Sequence, residues 1–127
     1  MRIEEGFSIV SVEYSNRGKC LEAARKFVGL VGNEIERVLI INLWASREDK
    51  FEVESWPFHA VAIGCDGEKW FAGAPGSGDL HFAVELRELL SLLAAEFGGL
   101  WPREAEIERA MVEGKKELAV YPEDWVC

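Results

Sequence analysis

The chain has 127 residues, 49% of them apolar, and a formal net charge of −9 from 14 basic and 23 acidic side chains. That length and apolar content fit a single domain over residues 1–127 with its own core, and exclude a disordered chain. The negative charge, with no basic stripe to offset it, argues against nucleic acid and anionic membranes as partners, and no apolar run approaches the roughly 18 residues of a membrane span.

Three cysteines lie far apart without a Cys-x-x-Cys pair, and there are two histidines. This disfavours a disulfide framework, a zinc site or a His-rich metal site, and fits reduced thiols. The acidic start Met1–Gly6 lacks the apolar core of a signal peptide, so the expected location is cytoplasmic.

In chain order, Phe7 to Tyr14 alternates well enough to predict a strand with one buried face. Ser15-Asn16-Arg17-Gly18 reads as a turn, with Ser15 or Asn16 able to cap the next element. That element is a helix expected from about Lys19 to Val31, its apolar stripe formed by Leu21, Ala24, Val28 and Val31, and Gly32-Asn33 ends it. Val38 to Trp44 is nearly continuous apolar sequence, the pattern of a central strand covered on both faces. Arg47 to Glu54 reads as a charged loop or edge strand. His59–Gly64 and Lys69–Gly73 flank an Asp66-Gly67 turn and predict a hairpin. Ala74 to Asp79 is a loop by composition. A helix is expected over about Val84 to Phe97, its apolar face carrying Leu86, Leu89, Leu90, Leu93 and Phe97. Pro102 suits the first turn of a third helix reaching about Glu113, and Leu118–Pro122 reads as an edge strand.

Two residues suggest chemistry. Cys20 stands at the head of the first helix, where free N–H groups favour a thiolate. His59 stands at the head of an apolar strand, from which an imidazole could take the thiol proton. Cys65 shares His59's strand parity but lies ~20 Å along the strand at ~3.3 Å per residue, and Cys127 is terminal, so Cys20 is the natural partner. Each has a plainer reading: Cys20 as a small core hydrophobe, His59 as a residue satisfying a carbonyl. The spacing Gly73-Ala-Pro-Gly76-Ser-Gly78 lacks the Gly-Lys-Ser/Thr of a phosphate loop, so its glycines read as turn residues. Trp44, Trp56 and Trp70 are mostly core candidates, with a cleft beside His59 as the other reading.

The segment His59-Ala60-Val61-Ala62-Ile63-Gly64-Cys65-Asp66-Gly67, then Trp70-Phe71-Ala72-Gly73-Ala74-Pro75, resembles the His-bearing hairpin of NlpC/P60-type papain-like hydrolases. Gly18-Lys19-Cys20 opening a helix is similar to the Cys helix of that family and of transglutaminase-like proteins. The resemblance covers about residues 16–80 and implies a Cys nucleophile, a His base and a third, orienting polar residue. The orienting position falls near Gly73, which cannot orient an imidazole, and the Asp-Cys-Ser-Gly sequence common around the family's nucleophile is absent. Asp79 is the nearest downstream carboxylate and the candidate orienter, although a loop Asp more often caps a turn. Asn42 is an unusual polar residue in an apolar strand; such residues more often bridge backbone groups.

These readings lead to an α+β fold: a small, mainly antiparallel sheet packed by an N-terminal Cys-bearing helix and two later helices. The function they favour is a papain-like cysteine hydrolase or acyl transferase acting on a peptide or a small amide or ester. Cys20, His59 and Asp79 are its catalytic candidates, and no metal or organic cofactor is required. The alternatives are a catalytically inactive papain-like scaffold that binds a protein or small ligand, and an unrelated α+β subunit of a homo-oligomer with Cys20 and His59 far apart.

Overall fold

The computed structural model describes residues 1–15, 19–44 and 59–118. The element order is α1 (Ile3–Glu13), α2 (Cys20–Val31), a 3-10 turn (Gly32–Glu34), β1 (Arg37–Leu43), β2 (His59–Asp66), β3 (Lys69–Gly73), β4 (Leu80–Ala83), α3 (Leu86–Glu96) and α4 (Glu104–Val112). The strands form one four-stranded sheet in the order β1-β2-β3-β4, every pair antiparallel. Helices cover both faces, an α+β arrangement as the sequence suggested.

Strand alternation divides the core in two. Leu39, Ile41, Val61 and Ile63 point to the face covered by α3 and α4, where they meet Leu89, Leu93 and Ile107. Ile40, Ala60, Ala62 and Phe71 point to the other face, where α2 supplies Ala23, Ala24 and Phe27. The small residues of β2 on that side let α2 lie close. Phe27 is fully buried there, with its ring edge-on to both Phe7 of α1 (5.7 Å) and Phe71 of β3 (6.0 Å).

The first element corrects the expected strand over Phe7–Tyr14. The segment is a helix because its buried residues recur with helical spacing once the window reaches back to Ile3: Ile3, Gly6 and Val10 are buried, while Ile9 and Val12 are exposed. Glu4 and Glu5 occupy its first turn, where the helix dipole favours negative charge. Gly6 admits the close approach of α2, since a Cβ there would lie 2.7 Å from the Val31 side chain. Tertiary packing has overridden a short alternating pattern.

The hairpin forms as expected, with a two-residue Gly67-Glu68 turn between the paired Asp66 and Lys69. Gly67 takes φ 64, and a glycine at the first central position is what such tight hairpins require. β1 is buried on both faces but is the end strand of the four rather than central. Its outer edge is flanked by the chain after α4, where Ile40 N–H donates to the Lys116 carbonyl and Leu118 N–H donates to that of Ile40, both at 2.9 Å. Arg25 of α2 fixes this segment through two hydrogen bonds to Glu117 (2.8 and 2.6 Å). β4 falls where composition predicts no strand; four residues give too short a pattern to stand out. The expected loop or edge strand at 47–54, the Trp56 reading and most of the expected 118–122 strand lie outside the described residues.

Candidate functional site

Cys20 is the first residue of α2, and Lys19 stands at its N-cap without a side-chain cap hydrogen bond, so the expected cap Ser15 does not occupy that position; Asn16 lies outside the described residues. The Cys20 sulfur reaches β2: the Ala60 N–H donates to Sγ at 3.3 Å. Ala60 directly follows His59, so the structure brings the expected nucleophile to the residue beside the expected base. Cys20 is disulfide-bonded, however, whereas composition suggested reduced thiols; Cys65 is free. The Cys65 thiol donates to the Gly67 carbonyl at 3.1 Å, and burial, then the nearby Glu36 carboxylate, push its pKa up.

His59 opens β2 opposite Leu43 and is 8% exposed. Its parity places it on the α3 side of the sheet, and its ring lies 4.8 Å from that of Phe97. Cys20 belongs to the α2-side core. Sulfur and imidazole therefore approach the start of β2 from its two faces. The imidazole Nε2 is 3.1 Å from Ser77 Oγ. Among the described residues Nδ1 has no hydrogen-bond partner. Burial lowers the His59 pKa from 6.5 to about 4, because a charged ring loses its hydration there. The ring is thus neutral at physiological pH.

Ser77 is the site residue that sequence reasoning missed. Extending the register in which Ala62 pairs with Gly73 puts Gly76 opposite His59, with Ser77 next to it. The orienting position expected at Gly73 is therefore three residues too far along β2. Gly73 has another role: a Cβ there would come within 2.9 Å of the Phe7 ring, so the residue keeps α1 against the sheet.

Ser77 is held by the turn that ends β3. The Ser77 and Gly78 N–H groups both donate to the Ala74 carbonyl, at 3.2 and 2.9 Å. Gly76 adopts φ 86, with its Cα face against the Tyr14 carbonyl, and its N–H donates to Ser11 Oγ at 3.2 Å. A side chain at Gly76 would meet both a forbidden conformation and a backbone oxygen.

Asp79 is exposed, and the His59 ring is not among its partners; its backbone N–H donates to Glu96 Oε2 at 2.9 Å. Asn42 is fully buried in β1 opposite Ala60, which places it on the Cys20 side of the sheet. Trp44 comes directly after Leu43 at the His59 end of the sheet and lies under the Arg103 guanidinium, 3.9 Å from the ring centroid. Trp70 pairs with Cys65 at the opposite end of β2, so it does not line the His59 site. Among the described residues no group of three or more His, Cys, Asp or Glu side chains is placed to hold a metal ion, and no helix is long and apolar enough to cross a membrane. No protein family, curated protein or solved structure matches this chain.

Proposed function

We propose that the chain is a cysteine-dependent hydrolase or acyl transferase of papain-like layout, acting on an amide or ester of a peptide or small molecule. One observation carries the reading: the sulfur of Cys20, at the head of α2, accepts the amide hydrogen of the residue next to His59. An N–H donor and a helix N-terminus both favour a thiolate over a thiol.

The chemistry belongs to the reduced protein, because a disulfide sulfur is no nucleophile, and a cytoplasmic location would keep the thiol reduced. We assign the neutral ring the tautomer in which Nε2–H donates to Ser77 Oγ, which leaves Nδ1, the nitrogen nearest its own backbone, unprotonated. In this reading that nitrogen takes the Cys20 proton at the start of β2, to which the sulfur and the ring come from opposite faces of the sheet. The thiolate attacks the carbonyl carbon, and the tetrahedral oxyanion draws on the Cys20 backbone N–H as one donor. The imidazolium then protonates the leaving amine or alcohol, and a thioester remains on Cys20. Water or another acceptor, deprotonated by His59, releases the acyl group.

The reduced protein incubated with p-nitrophenyl acetate tests this. The expected result is an acetyl adduct mapped to Cys20 and p-nitrophenol release that falls at least tenfold in Cys20→Ser and His59→Ala. Equal release from all three proteins, with no adduct on Cys20, would overturn the reading. The second reading, an inactive papain-like scaffold that binds a ligand, is favoured by the disulfide at Cys20 and by a serine rather than a carboxylate or amide at the imidazole.

A further inference from the structure

The loop carrying Ser77 is gripped from two sides. On one side α1 offers Ser11 and the Tyr14 carbonyl to Gly76. On the other, the last turn of α3 offers Glu96, with Phe97 next in the chain. Glu96 is largely buried, at 15% side-chain exposure, an unusual position for a carboxylate. Its Oε2 accepts both the Asp79 N–H and the His81 ring, each at 2.9 Å. Its Oε1 is buried without a hydrogen-bond partner among the described residues, and it fills the space beside Gly78 where a Cβ would lie 2.6 Å away. Burying an oxygen without a partner costs free energy, so packing the carboxylate against this loop must bring a compensating gain. The adjacent Phe97 is the residue that flanks the His59 ring.

We infer that Glu96 is a positioning residue for His59: by holding the backbone at Asp79 and crowding Gly78, it keeps the Ser77 hydroxyl against Nε2 in the accepting role and so favours the Nε2–H tautomer. The inference rests on the dyad reading above, since tautomer matters only if Nδ1 must accept a proton. A carboxylate that never touches substrate would set how much of the enzyme is competent for the first proton transfer. It also explains the glycine at position 78, since any side chain there would displace both Glu96 and Phe97.

The test is long-range 1H–15N correlation NMR of the His59 ring in the full chain at pH 7. Wild type is compared with Ser77→Ala, Glu96→Ala, Glu96→Gln and Gly78→Ala. The wild-type ring should be a single Nε2–H tautomer. Glu96→Ala and Gly78→Ala should move both ring nitrogens toward the average of the two tautomers, as Ser77→Ala does. Glu96→Gln, which keeps an oxygen for the Asp79 N–H, should stay at the wild-type shifts. Gly78→Ala leaves the carboxylate in place but pushes it away, so it reads the same contact if Glu96→Ala does not fold. If Ser77→Ala moves the His59 shifts while Glu96→Ala or Gly78→Ala leaves them unchanged, the inference falls and the dyad stands. If Ser77→Ala itself changes nothing, Ser77 does not orient the ring, and the inference falls with that part of the proposed mechanism.

Discussion

Part of the destabilisation of this protein by acid should come from His59. Burial holds the imidazole at about 4 against an ordinary 6.5. Below pH 6.5 the unfolded chain binds a proton at this position that the native chain refuses, so falling pH pulls the equilibrium toward unfolding. The loss begins near pH 6.5 and is complete near pH 4, below which both states are protonated. The full shift corresponds to about 3 kcal/mol, and linkage assigns about 2 kcal/mol of it to the interval from pH 7 to pH 4.5. Urea denaturation at those two pH values, on wild type and His59→Phe, isolates the effect. Phenylalanine keeps a ring against Phe97 but cannot titrate, and the carboxylates act on both proteins alike. The variant should lose about 2 kcal/mol less than wild type on acidification. Equal losses, or an NMR titration of His59 centred near 6.5, would refute the claim that the ring is held neutral by burial.

The packing supports three further expectations. Phe27→Ala removes the fully buried ring that joins α1, α2 and β3, and should cost about 3–5 kcal/mol in a urea melt; a loss below about 1 kcal/mol would mean the α2-side core is not packed around it. Gly76→Ala combines φ 86 with a clash at the Tyr14 carbonyl and should cost about 1–3 kcal/mol, together with the His59 shifts that mark contact with Ser77. Arg25→Ala removes a two-pronged pair to Glu117, but the Arg25 side chain is half exposed, so the same melt should change by less than about 1 kcal/mol.

Features set by local patterning were legible in the sequence. The α2 stripe, the apolar run of β1, the Asp-Gly hairpin and the leucine face of α3 each repeat one period long enough to be read. α1 was not legible because the window Phe7–Tyr14 alternates, and only contact with Val31 and Gly73 decides between the two periods. β4 fell below readable length. At the site, Cys20 and His59 stood out because a thiol at a helix start and an imidazole at a strand start have chemical meaning without tertiary information. Ser77 was recoverable from hairpin register, by counting back from the Asp66–Lys69 pair. Glu96 was not recoverable: on the helix it looks like one more charge off the apolar face, and it becomes a clamp only when β4 and the Ser77 loop fold against it.

The most direct test of the Cys20–His59 pairing is thiol reactivity. Iodoacetamide labelling read site by site by mass spectrometry, from pH 5 to 9, should find Cys65 reactive and Cys20 unlabelled before reduction. After reduction, Cys20 should label rapidly at acidic pH and slow in His59→Ala, while Cys65, with its thiol pKa pushed up, labels only as the pH rises. A reduced Cys20 that tracks an ordinary thiol pKa of about 8.5, unchanged by the loss of His59, would contradict the account.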